Sequence, residues 1–196
     1  VGGSTAETSY RSASTSKMVT AAVILSIVDS GDLALSDHPQ AYIDFWPTTG
    51  NLSQITLGQL LTFTSGLSSE PICINLGWND FEDCVQAILD DNQDIVSPGS
   101  EFYYASTHMQ VAGMMAYKAA GLSSWEALFS QFKAQTGLFS MSVYDLPSTS
   151  NPRLAGGMHW VATEYLEFLE AIYNGTILTP ALIREMASDQ FGEATI

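Results

Sequence analysis

The stretch Ile55-Thr56-Leu57-Gly58-Gln59-Leu60-Leu61-Thr62-Phe63-Thr64-Ser65-Gly66-Leu67 decides how the rest of the chain is read. Thr56 is placed to cap a short helix over 57–63, which ends before Ser65-Gly66. Upstream, 18–28 is apolar almost all round and predicts a buried central helix, with Gly31 as its stop. Downstream, 80–89 carries Phe81, Cys84, Val85, Ile88 and Leu89 at helical spacing. Ser106 or Thr107 caps a helix running to Ala120, and Ser123 or Ser124 caps another through Lys133. Thr163 is read as the cap of a helix over 165–173, and Thr179-Pro180 opens a last one to about Ala187. Alternating strand patterns are scarce, and no repeat, low-complexity tract or long linker interrupts the series. The fold class expected is mainly α.

Composition excludes several functions. The 196 residues carry 6 Lys+Arg against 21 Asp+Glu, a formal net charge of −15. Hydrophobic residues make up 46% and charged residues 14%, a globular balance in which the negative charge comes from missing Lys and Arg. A nucleic-acid binder needs a basic face to displace counterions, which six basic residues do not make. Docking to an anionic membrane is disfavoured for the same reason. The longest apolar run, 21–27, is too short to span a bilayer. Residues 1–4 read as a mid-protein start, with no signal peptide in view.

Two cysteines, Cys73 and Cys84, show no metal-type spacing with histidines. They are either buried free thiols or a disulfide clipping the loop ahead of a helix. A closed loop this short would contribute on the order of 3 kcal/mol if unstrained. Asn51-Leu52-Ser53 and Asn174-Gly175-Thr176 are glycosylation sequons. With few basic residues and a candidate disulfide, they lean towards an extracytoplasmic (secreted or periplasmic) protein. His38, His108 and His159 lack a triad partner pattern and are read as surface or packing residues. No histidine–carboxylate cluster suggests a metal, and no cofactor is expected.

The chemistry begins at Ser14-Thr15-Ser16-Lys17, an S-x-x-K heading the apolar helix. Residues three apart share a helix face, so the Lys17 amine reaches the Ser14 hydroxyl. A serine is a poor nucleophile until a neighbour takes its proton. The same residues also fit a capping serine beside a solvated lysine, but the chain has only three lysines. The second element is Phe102-Tyr103-Tyr104-Ala105-Ser106-Thr107-His108, after the turn Ser97-Pro98-Gly99. A tyrosine here could shuttle a proton to and from Ser14 if a cation such as Lys17 stabilised its phenolate. A packed aromatic pair with Ser106 as a cap is the plainer reading of that segment.

The order of segments carries more than either motif. S-x-x-K is followed by Val28-Asp29-Ser30-Gly31-Asp32-Leu33-Ala34-Leu35-Ser36-Asp37, then by the stretch at 55–67. Pro98-Gly99-Ser100-Glu101-Phe102-Tyr103-Tyr104-Ala105-Ser106 comes next, and Ala155-Gly156-Gly157-Met158 last. This series resembles the serine β-lactamase-like hydrolases, which include class C β-lactamases, DD-peptidases, D-aminopeptidases and related esterases. The resemblance covers about residues 10–187.

It implies Ser14 as the acylated nucleophile, Lys17 as its activator and Tyr104 as general base and acid. Ser106 is the polar third member of the Y-x-N/S box, where many relatives carry Asn. Gly156 and Gly157 match a glycine pair lining the cleft, although a plain turn also fits them. Phe63 stands where the family's "LLTHTSGL" has histidine and is read as packing. The family's third box, K-T-G or H-x-G, does not occur in the sequence. The resemblance therefore implies the helical region of an α/β (α+β) fold whose antiparallel sheet segments are largely missing. Residues 1–196 are then one incomplete domain, nearly inactive by itself, whose apolar face awaits a missing segment or a second chain. The expected activity is acyl-enzyme hydrolysis of a small ester, amide or peptide, more in keeping with an esterase or peptidase than a dedicated β-lactamase. The alternative is a non-catalytic, degenerate relative used for binding or assembly.

Overall fold

The structure, a computed structural model, describes residues 2–191; Val1 and residues 192–196, the outer ends of the expected 1–196 domain, lie outside it. Helix α1 (Ser16–Ser30) runs through the middle. Val19, Ala22, Val23 and Ile24 on it are wholly buried, as its all-round apolar sequence requires. It ends where Gly31 adopts φ 85°, a left-handed conformation that glycine enters without a Cβ clash.

Helix α2 (Leu57–Leu61) begins with a capping box: the Thr56 side chain accepts from Gln59 N, and the Gln59 side chain accepts from Thr56 N. Helix α3 (Phe81–Asp91) is capped by the Asp80 carboxylate and buries the apolar face read from the sequence. Helix α4 (Thr107–Ala119) packs against α1, α2 and α3. Helix α5 (Trp125–Thr136), capped by Ser124, packs against α1 and α4 and runs three residues beyond Lys133. Helix α7 (Pro180–Ala187) starts at the proline, as expected.

Helix α6 (Ala162–Asn174) corrects one expectation. Thr163 does not cap it, because a strand runs straight into the helix and Val161 occupies the N-cap position. That strand, β3 (Met158–Val161), is the centre of a small antiparallel sheet ordered β1-β3-β2. Strand β1 (Ser9–Arg11) pairs Ser9 with Val161 and Arg11 with His159; β2 (Val143–Tyr144) pairs Val143 with His159. The chain is thus mainly α with little sheet, but one strand does precede Ser14. On α6, Leu166, Leu169 and Tyr173 share an exposed face.

Hydrogen bonds tie the sheet to the start of α1. Tyr144 OH meets Thr20 Oγ1 at 2.7 Å, and Thr20 Oγ1 also donates to Leu154 O at 2.7 Å. Met158 N donates to Ser16 Oγ, and Ser12 N to Met158 O. These buried bonds fix the turn that holds Ser14.

Candidate active site

Ser14 lies in a 3-10 turn (Ala13–Thr15) that leads directly into α1. Ala13, just before it, has φ 45°, a value an L-residue rarely adopts; such outliers concentrate at functional sites. Lys17 Nζ donates to Ser14 Oγ at 3.2 Å and to Ala155 O at 2.9 Å. The second bond pins the ammonium between α1 and the segment before β3. Tyr104 OH donates to Ser14 Oγ at 2.9 Å. Two motifs distant in sequence therefore meet at one hydroxyl.

Tyr104 is 56% exposed, so its phenol faces the cleft. Hydrogen bonding with Lys17, then with Ser14, lowers its pKa below the usual tyrosine value, and burial opposes this only in part. The loop carrying it is held from below. Tyr103 N donates to Phe63 O at 2.9 Å. The Phe63 ring lies 5.3 Å from the Tyr104 and His108 rings and 6.1 Å from that of Phe102. Phe63 thus packs, as read from the sequence, and does so at φ 61°.

His108 is fully buried beneath this loop. Its Nδ1 meets Ser65 Oγ at 2.9 Å and its Nε2 meets Tyr103 O at 2.8 Å. Burial pushes its pKa down to about 4. The imidazole is therefore neutral at pH 7, with Nε2–H donating to the carbonyl and Nδ1 accepting from the serine. His38 is also a packing residue, with Nδ1 at 2.8 Å from Ile55 O. His159 differs from expectation: its Nδ1 pairs with Asp145 Oδ1 at 2.5 Å. The partner comes from the end of the neighbouring strand, a proximity that sequence spacing does not display.

A cleft of about 280 Å³ opens over Ser14, lined also by Lys17, Glu70, Tyr104, Ser106, Arg153 and Gly156. Ser106 reaches the cleft as expected, but its side chain makes no capping bond to α4. Instead its N–H donates to Glu70 Oε1. Gly156 borders the cleft against Ala13, whereas Gly157 is not among the lining residues. A Cβ on Gly157 would stand 2.1 Å from Leu146 O, so this glycine exists for close packing of the β2–β3 connection. Cys73 and Cys84 form a disulfide, deciding between the two readings of the pair. Sequence reasoning missed Glu70 and Arg153, which stand 36 residues before Ser106 and three before Gly156 without a recognisable motif. Among the described residues, no group of three or more His, Cys, Asp or Glu side chains is placed to hold a metal ion. None of the helices there is long and apolar enough to cross a membrane.

The sequence profile of the Beta-lactamase family matches residues 2–194. The chain belongs to this family. No curated protein matches it. Among solved structures, it is similar to the "putative beta-lactamase" of Bacteroides dorei, with 31% identity and a TM-score of 0.85, over 99% of this chain and 60% of that one. It shares its fold with the octameric penicillin-binding protein homologue of Pyrococcus abyssi (21% identity, TM-score 0.76, 95% of this chain and 50% of that one). The same holds for a D-stereospecific amidohydrolase of a Streptomyces species (20% identity, TM-score 0.76, 96% and 67%). The chain thus spans 60% and half of the length of the first two. The same fold is shared by EstCE1, a hydrolase with promiscuous acyltransferase activity (20% identity, TM-score 0.74, 91% of this chain and 63% of that one).

Proposed function

We propose that the protein is a serine hydrolase that cleaves an ester or amide through an acyl-enzyme on Ser14. The observation that carries this reading is the convergence of Lys17 Nζ at 3.2 Å and Tyr104 OH at 2.9 Å on Ser14 Oγ. Three hydroxyl or ammonium groups sharing one point have no evident packing purpose at the floor of an open cleft.

The roles follow from the charges. Hydrogen bonding with Lys17 favours the phenolate of Tyr104. As phenolate, Tyr104 accepts the Ser14 proton, reversing the direction of the present bond. Ser14 Oγ attacks the acyl carbon, and a C–O bond forms. The tetrahedral intermediate collapses as the bond to the leaving amine or alcohol breaks, and Tyr104 returns the proton to that group. Water then attacks the acyl-serine, giving its proton to Tyr104, and the carboxylic acid leaves as Ser14 recovers a proton. With Ser106 lining the cleft where many relatives carry Asn, we favour a small ester, amide or peptide as substrate over a dedicated β-lactam. We place the protein outside the cytoplasm, on the strength of the Cys73–Cys84 bridge and the low basic content.

The test is hydrolysis of p-nitrophenyl acetate by the complete protein. The reading expects turnover that falls by about a thousandfold in Ser14→Ala. Turnover untouched by that change would overturn it. A complete protein with no turnover at all would favour the non-catalytic alternative.

A further inference from the structure

Tyr103, the residue before Tyr104, has both of its backbone polar groups engaged. Its N–H donates to Phe63 O at 2.9 Å, and its carbonyl accepts from His108 Nε2 at 2.8 Å. That carbonyl belongs to the peptide unit joining Tyr103 to Tyr104. A peptide unit is planar, so the direction of its carbonyl sets the direction in which the Tyr104 N–Cα bond leaves. The Tyr104 side chain is largely open to the cleft, so packing alone does little to place its phenol. The backbone behind it carries that task.

The bond from His108 has support of its own. Ser65 Oγ accepts from Leu67 N at 3.3 Å and lies 2.9 Å from His108 Nδ1. With a backbone N–H on its oxygen, the serine has its proton free for the ring. Nδ1 then accepts, and the single proton of the neutral imidazole sits on Nε2, facing Tyr103 O. The other tautomer would set the Nε2 lone pair against the carbonyl oxygen. The polar path therefore runs one way, from Leu67 N–H through Ser65 and His108 to the carbonyl that precedes Tyr104. Ser65 and His108 are both wholly buried, and the Phe63 ring stands edge-on to the imidazole at 5.3 Å. Ser65 follows the exit of α2 and His108 lies in the first turn of α4, two helices packed on each other. His108 is not among the residues lining the cleft, and none of the chemical steps above uses it.

We propose that His108 is a positioning residue for the reaction, holding the Tyr104 phenol at Ser14 through Tyr103 O, with Ser65 fixing the tautomer that makes this bond. The proposal rests on the hydrolase reading. A ring that only filled space could be exchanged for another aromatic ring, whereas a positioning ring needs its Nε2–H. Misplacing a reacting group by about 1 Å slows a reaction by as much as about a hundredfold.

The experiment is steady-state hydrolysis of p-nitrophenyl acetate by the complete protein in single and double variants. His108→Phe keeps an aromatic ring in place and removes the donor. It is expected to lower kcat and kcat/KM together, by about tenfold or more, leaving KM where it was. His108→Gln, which can offer an N–H to Tyr103 O, should recover much of that loss. In a Tyr104→Phe background, His108→Phe should lower kcat no further, because the group it positions is gone. Ser65→Ala should lower kcat in the same sense by a smaller factor, and it replaces His108→Phe throughout should the latter fail to fold by circular dichroism. An unchanged kcat, a glutamine variant as slow as the phenylalanine one, or a loss repeated in full without the Tyr104 hydroxyl overturns the proposal. Each leaves the hydrolase reading intact, since that reading stands on Ser14→Ala. Wild-type protein that does not hydrolyse p-nitrophenyl acetate removes both.

Discussion

The ammonium of Lys17 lies 4.5 Å from the centroid of the Tyr104 ring while donating to Ser14 Oγ. Lys17 therefore contacts both partners of the proposed proton transfer. It lowers the pKa of the phenol and favours the negative charge that the reaction must develop there.

A pH profile reads this directly. In the proposed mechanism activity requires the phenolate, so it is expected to rise with pH as Tyr104 loses its proton. Lys17→Gln removes the largest influence lowering that pKa, and the acid limb of kcat/KM should move to higher pH. A limb that stays in place would exclude Tyr104 as the titrating base. Tyr104→Phe should abolish the limb and lower kcat by about a hundredfold or more.

Stability should fall on mild acidification through His108. Its folded pKa, about 4, lies below the unfolded value near 6.5. Between those values the unfolded chain binds more protons, so stability rises with pH across that window and is lost as pH drops through it. The full effect is on the order of 3 kcal/mol. Chemical denaturation at pH 7 and pH 4.5 measures it. His108→Gln, which keeps a donor and an acceptor, should flatten the profile.

Glu164 acts at lower pH by the opposite chemistry. Burial alone would raise its pKa, but hydrogen bonds from Ser142, Met141 N and Ser140 outweigh this, and the net shift is downward. Its stabilisation is complete above the unfolded carboxylate pKa and is lost as pH falls through the depressed folded value. Glu164→Gln should cost about 2 kcal/mol at pH 7 by loosening the 140–142 loop against α6. Urea unfolding of the variant checks this.

The extent of legibility in the sequence follows from which interactions are local. Ser14 and Lys17 were visible because a helical turn brings residues three apart together. The helices were visible because their apolar faces repeat over several turns, as in 80–89. Tyr104 needed the order of segments, since nothing between 17 and 104 states that the two will meet. Strands of two to four residues, such as β2 and β3, are too short for alternation to register, and the start of α6 was misplaced as a result. Gly156 and Gly157 look alike in sequence, and only the approach of Leu146 O separates a cleft glycine from a packing one. Glu70 and the His159–Asp145 pair depend wholly on tertiary contact.

Reduction probes the Glu70 loop. Opening the Cys73–Cys84 bridge frees a short loop whose closure is worth about 3 kcal/mol. The midpoint of thermal unfolding should drop under reductant. A melting temperature indifferent to reductant would show that Asn92, which accepts from Ser68 N and Ser69 N, and Asn151, which donates to Cys73 O, hold the loop without help.

The most direct test of the central claim is active-site labelling of the complete protein with a fluorophosphonate, read by intact mass and peptide mapping. The account predicts a single adduct on Ser14, absent in Ser14→Ala and formed more slowly in Tyr104→Phe. An adduct that persists in Ser14→Ala, or maps to another serine, would contradict it.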